Sequence, residues 1–478
     1  MSVDPVAPPG SPPAAGDLTD ERLWAPARRS LIVGLVLTVT LVAFEALAIA
    51  TVMPDVKDDI GGLALYGWVF SGFFLASLLG IVVAGQLADR HGLALPYVAG
   101  LGIFAVGLVV GGAAQSMPML IGGRLLQGFG AGAIPATAYA AIARGVPSEL
   151  RPKVFAILST AWVVPGLIGP AAAIAIEHAL SWRAVFLVLL PVVVVAGAMT
   201  FPSLVRLGRA EAKGAEDAAR VRAHDRRHLR KVALLVVGVA SVLGAGTGAP
   251  WPLAVLLVAV GLPTALHALV HLLPVGTLRL APGVPATVAV RGILTFAFFS
   301  ADAYVPLAIV DGRGAASWIA GAALTACSVS WAGGSWLQSR LVLRLGPRRL
   351  DQTGFLMLVI AVLGLLVVAR GAPVGLVVVA WALGGAGMGM AYAPLSVTVL
   401  AAAAPGEEGA ASSGIQLSDA LGIALGTGLA GWLIAVGDSR GWAVDTSVTW
   451  VFVLALVVSI GGVMAAGRLP ERIPDQAT

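Results

Sequence analysis

Charge is what this sequence has least of. Only 12% of its 478 residues are Asp, Glu, Lys or Arg, while 58% are hydrophobic and the mean hydropathy is +0.93. A soluble globular chain carries about 25% charged residues, and half that share cannot cover the water-facing surface of so long a protein. The deficit excludes a soluble enzyme, a secreted domain and a nucleic-acid binder, and leaves an all-α polytopic membrane protein. Cysteine is nearly missing as well. Cys327 is the single one, so neither an intrachain disulfide nor a cysteine metal cluster can form, and its apolar surroundings read it as a small packing residue. There is no G-x-x-x-x-G-K-[ST] phosphate loop, which argues against an ATP-driven pump, and no Ser-His-Asp order or H-E-x-x-H motif. His224/His228 and His267/His271 have metal-ligand spacing without a third ligand. No cofactor and no metal are therefore expected. The first 27 residues hold Pro5, Pro8, Pro9, Pro12, Pro13 and Pro26 without an apolar run, which fits a disordered cytosolic tail better than a signal peptide.

Apolar runs are abundant. A helix crossing about 30 Å of hydrocarbon needs roughly 20 apolar residues, and candidates lie near 31–53, 66–88, 95–115, 117–142, 153–177 and 184–204. A basic loop, 205–231, follows, ending in Arg226-Arg227-His228-Leu229-Arg230-Lys231. Spans 232–248 and 252–273 form a hairpin around Gly248-Ala249-Pro250, then a linker, 274–285, leads to six more near 286–310, 317–339, 351–369, 375–400, 410–436 and 447–467. Fourteen transmembrane helices are predicted: a tail (1–30), a six-helix bundle (31–204), the loop, the central hairpin (232–273), a second six-helix bundle (286–467) and a second cytosolic tail (468–478). With the N-terminus inside, 24 of the 30 basic residues fall on cytosolic segments and five outside, the bias that sets orientation in a plasma membrane. Both termini are expected in the cytosol.

The two bundles echo each other. Gly128-x-Gly130-x-Gly132 is matched by Gly385-x-Gly387-x-Gly389, and each ladder follows a short basic turn, Gly85 to Gly92 in one half and Arg344 to Arg349 in the other. Glycine ladders alone mark only close helix packing. Two of them behind matching turns point to a parallel repeat, the build of transporters with a site between their halves.

At these residues the chain resembles the major facilitator superfamily. Gly85-x-Leu87-Ala88-Asp89-Arg90-x-Gly92 is similar to its motif between helices two and three. The stretch Arg124-Leu125-Leu126-Gln127-Gly128-Phe129-Gly130-Ala131-Gly132 resembles its helix-four motif, found in proton-driven members. Pro165-Gly166-Leu167-Ile168-Gly169-Pro170 resembles the helix-five motif of antiporters. The resemblance covers about residues 30–467, and fourteen helices resemble the drug–proton antiporter branch. Departures are Leu93 and Ala94 in place of basic residues, Pro165, Ala173 and Ile174 in place of glycines, and Glu45 where the branch often has Asp. The resemblance implies that Arg124 couples transport to protons. It also implies that Gly85, Asp89, Arg90, Gly92, Gly128, Gly166, Gly169 and Pro170 belong to the gating motifs, with Asp89 latching onto the helix start near Ser412-Ser413, where the helix dipole favours an acid.

Ionisable groups at bilayer depth mark function, and those predicted there are Glu45, Arg124, Asp302 and Asp419, with Glu177 and His178 at an outer rim. At 1.5 Å per residue, Glu45 and Arg124 both lie about 20 Å from the inner face, so they are a plausible pair. Pairing would hold Glu45 ionised while desolvation would favour its protonated form, a competition suited to proton coupling; a static ion pair is the plainer alternative. Asp302, among Phe298, Phe299 and Tyr304, could attract an amphipathic cation, carry a second proton or cap a break before Pro306. Asp419 is a candidate packing contact. Trp162, Trp331, Met388, Met390 and Tyr392 are candidate cavity residues with Asp302 and Tyr304, and ordinary packing is the competing use of each. The function expected is export of small amphipathic or hydrophobic molecules in exchange for protons, by a monomer needing only the proton gradient. A lipid or glycolipid translocator and a solute importer are the alternatives.

Overall fold

The computed structural model describes Trp24 and residues 26–147, 150–208, 215–403 and 408–472. These residues form helices and turns and contain no strand. The first half comprises α1 (Pro26–Ile60), α2 (Tyr66–His91), α3 (Ala94–Gly112), α4 (Met117–Gly145), α5 (Arg151–Thr160), α6 (Val163–Ala179), α7 (Trp182–Leu187) and α8 (Leu190–Arg206). A hairpin follows, α9 (Ala215–Ala245) and α10 (Trp251–Leu272). The second half comprises α11 (Val284–Asp302), α12 (Val305–Val310), α13 (Ser317–Ala369), α14 (Leu376–Ala401), α15 (Glu408–Ser439) and α16 (Val444–Ala466).

Among the described residues twelve helices, not the expected fourteen, are each long and apolar enough to cross a membrane. Two places account for the difference. The 53 residues of α13 form one helix broken at Gly346, whose φ of 74° and ψ of 164° are not helical; unbroken, it would run about 80 Å. The stretch expected at 153–177 is divided into α5 and α6 by a turn at Ala161-Trp162. Pro165 explains the break, because it offers no N–H and its ring clashes with the carbonyl four residues back. Two boundaries also move. Helix α1 starts at Pro26, inside the expected tail, with the proline at a first-turn position where its missing N–H costs nothing; residues 1–23 lie outside the described residues. The basic loop is helical from Ala215 onward and continues directly into α9, as its Ala, Glu and Arg content favours; residues 209–214 lie outside the described residues.

The repeat is visible in the packing. A side chain at Gly128 or Gly132 would strike the Phe73 or Ser77 carbonyl of α2, and one at Gly130 the Gly100 carbonyl of α3. In the second half Gly385 and Gly389 face the Cys327 and Trp331 carbonyls of α13 before its break, and Gly387 faces that of Gly354 after it. Each ladder thus lets one helix lie backbone to backbone between two others. Gly92, with φ 81° and ψ 179°, turns the chain between α2 and α3 as Gly346 turns it within α13, a conformation that L side chains avoid.

Contacts between the halves gather toward the end where α1 finishes. Lys57 pairs with Asp311 at 2.6 Å, the Tyr66 and Tyr304 rings lie 5.4 Å apart, and Gly67 abuts Gly431. Gly166 of α6 faces Ser328 of α13, and Gly321 of α13 faces Pro170 and Ile174. Toward the other end Gly85 and Gly333 have no neighbour within reach of a Cβ. The hairpin is seated along the seam between α2 and α15: Leu235, Val239 and Leu243 of α9 pack with Leu75, Leu421 and Ala424, Gly244 lies beside Trp68, and Gly246 lies under Trp432.

Candidate functional site

The first half holds Glu45 and Arg124 together. Arg124, on α4, donates from Nη1 to Glu45 Oε1 on α1 and to Gln127 Oε1 at 2.7 Å, and from Nε to the Val69 carbonyl of α2 at 3.0 Å. Its guanidinium carbon stands 4.4 Å from the Phe73 ring centroid. Glu45 and Arg124 are 1% and 2% exposed, so the pair is sealed from solvent. Glu45 Oε2 and Gln127 Nε2 have no partner among the described residues, leaving room in the network for a proton or a different pairing. The ladder explains the approach: Gly128, one turn beyond Arg124, brings α4 onto α2 and aims the guanidinium between α2 and α1.

The second half holds a related arrangement. Trp381 Nε1, on α14, donates to Asp302 Oδ1 at 2.8 Å. Trp381 stacks on Phe298 at 5.0 Å, and Trp331 meets Phe298 edge-on at 5.4 Å. Asp302 caps no break here; its carboxylate takes the indole N–H, and the break before Pro306 falls at Ala303-Tyr304.

A third cluster was missed in the sequence. Arg291, which the charge count placed with the cytosolic basic residues, is buried within α11. It donates from Nε to Asp419 Oδ1 at 2.6 Å and from Nη1 to the Tyr392 carbonyl at 2.6 Å, with its guanidinium carbon 3.0 Å from the Tyr392 ring centroid. The Tyr392 hydroxyl donates to Asp419 Oδ2 at 3.1 Å. Asp419 is therefore an ion-pair partner and not a simple packing contact. The available signal was an arginine five residues into the apolar run at 286–310. Asp351 is likewise fully buried, with neither carboxylate oxygen bonded among the described residues.

Other candidates separate. Trp331 and Tyr392 are half-buried and touch edge to face at 5.5 Å. Trp162, at the α5–α6 turn, is 51% exposed. Met388 is completely buried and Met390 nearly so, because α14 lies between the two arms of α13, so both are core residues and line no cavity here. Tyr304 is also fully buried, its hydroxyl donating to the Thr427 carbonyl at 2.7 Å, and it lies in the seam against Tyr66. Gly166 and Pro170 face α13 across the halves, whereas Gly169 faces Phe44 and Leu47 of α1. Asp89 is exposed and makes no hydrogen bond or ion pair among the described residues, so the expected latch near Ser412-Ser413 is not formed. Arg90 instead pairs with Asp225 of α9 at 2.9 Å, and Gln86 Nε2 donates to the Asp225 carbonyl at 2.8 Å, tying the turn to the hairpin. At the opposite end burial raises the Asp311 carboxyl above its ordinary range, against the lowering pull of the Lys57 hydrogen bond.

Residues 35–369 match the Major Facilitator Superfamily. The chain is 28% identical over 453 residues to a probable multidrug-efflux transporter of Mycobacterium tuberculosis, covering 91% of this chain and 93% of that one. It is 32% identical over 169 residues to the multidrug transporter protein MdtP of Bacillus subtilis, covering 35% of this chain and 31% of that relative. An MFS-type transporter of Penicillium citrinum is 32% identical over 172 residues, and there the match spans 30% of the relative's length. Among solved structures, a POT family transporter in complex with 5-aminolevulinic acid superposes with a TM-score of 0.64 at 13% identity, covering 90% of this chain and 94% of that one. The human organic anion transporter MFSD10 superposes with a TM-score of 0.56 at 16% identity, covering 91% and 99%. Membrane-length helices, paired glycine ladders and two matched halves thus agree with the sequence match, and this multi-pass membrane protein belongs to the Major Facilitator Superfamily, a family of transporters rather than enzymes.

Proposed function

We propose that the protein exports small amphipathic or hydrophobic molecules in exchange for protons, by alternating access between its two halves. The observation that carries this reading is the sealed Glu45–Arg124 pair, an acid and a base held at bilayer depth with one carboxylate oxygen unpartnered. Burial and the counter-charge act on Glu45 in opposite senses, so a change in its enclosure during the cycle changes its hold on a proton. Extensive likeness to a probable multidrug-efflux transporter supports the direction and the breadth of substrate. Contact between α6 and α13 through Gly166 and Pro170 supports exchange over leak, because small residues let the two helices close against each other. No cofactor is required; the proton gradient drives the cycle.

The test uses purified protein in liposomes with an imposed pH gradient and ethidium as the probe. Wild type should accumulate ethidium on the acidic side and stop when a protonophore is added. Glu45→Gln, which keeps shape but removes the titrating group, should lose at least ten-fold of this uptake while remaining folded. Uptake by Glu45→Gln at the wild-type rate would discard the coupling role, and uptake indifferent to the protonophore would discard proton exchange.

The same reading takes the chain across the plasma membrane fourteen times, with both termini in the cytosol. Breaking α13 at Gly346 and counting α5 with α6 as one crossing supports that number, as does the basic start of α9. The end closed by Lys57 and Asp311 then faces outward. On a Cys327→Ser background, single cysteines at Arg227 and Ala249 should react with an impermeant thiol reagent from opposite sides. Reaction of both from the cytosol would reduce the count to twelve.

A further inference from the structure

We propose that Asp302 is a second proton-carrying site, held by Trp381, and that it is the repeat counterpart of the Glu45–Arg124 pair. The inference rests on the proton-coupled reading above and adds to it a residue in the other half. Its first support is positional. Glu45 and Arg124 are 79 residues apart, and so are Asp302 and Trp381. Gly128 begins its ladder four residues after Arg124, and Gly385 begins its ladder four residues after Trp381. Each acid lies in the first helix of its half, each donor lies in the fourth, and each donor is delivered by the same backbone-to-backbone contact. The acid slot is thus filled in both halves, and only the donor differs.

That difference decides what each acid can do. Arg124 gives Glu45 a full counter-charge, which an ionised carboxylate needs inside a low-dielectric bundle. Trp381 offers a neutral N–H and nothing else. A carboxylate with no counter-charge is among the most expensive groups to bury, whereas a proton on its free oxygen removes the charge and leaves the bonded oxygen to accept from the indole. No covalent rearrangement is involved: the carboxylate takes one proton from water and returns it to water.

The surroundings offer no competing charge. Cys327 of α13 is a buried free thiol, and the Tyr304 hydroxyl, in the turn before α12, is occupied by the Thr427 carbonyl. Helix α14 presents Trp381, and Phe298 of α11 itself stacks on that indole. Helix α15 carries Asp419, already paired with Arg291, and Arg291 stands eleven residues before Asp302 on α11, about 16 Å along the helix. Helix α16 bears one ionisable residue, Asp445, in its first turn, where its side chain is exposed and bonds Thr446. Access also separates the two acids: Glu45 is sealed at 1% exposure, while Asp302 keeps partial exposure. In this arrangement Asp302 is the more exposed of the two acids.

The test needs no transported substrate. Infrared difference spectra of the substrate-free protein in neutral-lipid liposomes, recorded as pH is stepped, should contain a protonated-carboxyl band. Asp302→Asn should lose a component of that band that Asp351→Asn, at the other buried carboxyl, leaves in place; Trp381→Phe should shift that component by removing the hydrogen bond, and Glu45→Gln should retain it unchanged. If Trp381→Phe fails to fold, Asp302→Glu serves instead, and its band should return at a displaced frequency. A spectrum of Asp302→Asn identical to wild type overturns the proposal, and a band that ignores Trp381→Phe in folded protein overturns the pairing. Ethidium uptake distinguishes the two readings. Uptake failing while the band persists removes the export reading alone, and uptake intact without the band removes this one alone.

Discussion

Arg124→Ala is expected to lower stability by about 3–5 kcal/mol, the cost of stranding one member of a buried ion pair, and to abolish proton-driven uptake. The expectation follows from how much converges on this guanidinium: it bonds Glu45, Gln127 and the Val69 carbonyl and stands over Phe73. Truncation leaves the Glu45 carboxylate with no cation in a fully enclosed pocket. The informative comparison is the double variant Glu45→Met with Arg124→Met. Replacing both charges by apolar side chains of similar length is often neutral or stabilising, so the double variant should recover most of the thermal stability in detergent and none of the coupled uptake. Recovery of both would make the pair a structural element without a transport role. Recovery of neither would show that the remaining contacts of Arg124, and not the pair, hold α1, α2 and α4 together.

Gly128→Ala should be nearly as damaging, while Gly122→Ala, on the same helix, should be harmless or better. A methyl at Gly128 would collide with the Phe73 carbonyl, and the colliding atoms are backbone, which cannot swing aside. Overpacking of this kind costs about 1–3 kcal/mol and sometimes more, and here the displacement of α4 from α2 would also pull Arg124 off Glu45. A methyl at Gly122 meets nothing within 4 Å and gains up to about 1 kcal/mol of helix propensity. Thermal unfolding of the two variants, side by side, separates glycine as a contact residue from glycine as mere helix content. Equal stability of both would mean that the ladder does not set the helix spacing.

The glycine ladders were readable because their cause is local and sterile: a residue without a side chain, repeated every second position, admits few uses. Glu45 and Arg124 could be paired from depth alone, since 1.5 Å per residue converts sequence position into height. Arg291 was hidden for the same reason. Near the start of α11 its height is compatible with the cytosolic interface, and only its bonds to Asp419 and Tyr392, from helices more than 100 residues away, show it turned inward. Met388 misled in the opposite direction, because a soft, adaptable side chain suits a cavity and a core equally, and which it lines depends on α13 wrapping both sides of α14. The partner of Arg90 could not have been foreseen: Asp225 belongs to a charged segment between apolar runs, which reads as a loop because it cannot cross the membrane, and its helical continuation into α9 is what carries it to the turn.

The seat of the α9–α10 hairpin makes the molecule one-sided toward the bilayer. The two halves meet along two flanks, one between α2 and α15 and one between α6 and α13. The hairpin bolts the first, with its own apolar residues filling the seam and the Trp68 and Trp432 rings wedged against its glycines. The second has no helix laid across it among the described residues, and Trp162, Val163, Val164 and Leu167 on one side and Val329, Trp336 and Leu337 on the other are exposed. The hairpin therefore covers one of the two flanks along which the halves meet and leaves the other, closed by the α6–α13 contacts alone, bare on its apolar outer face.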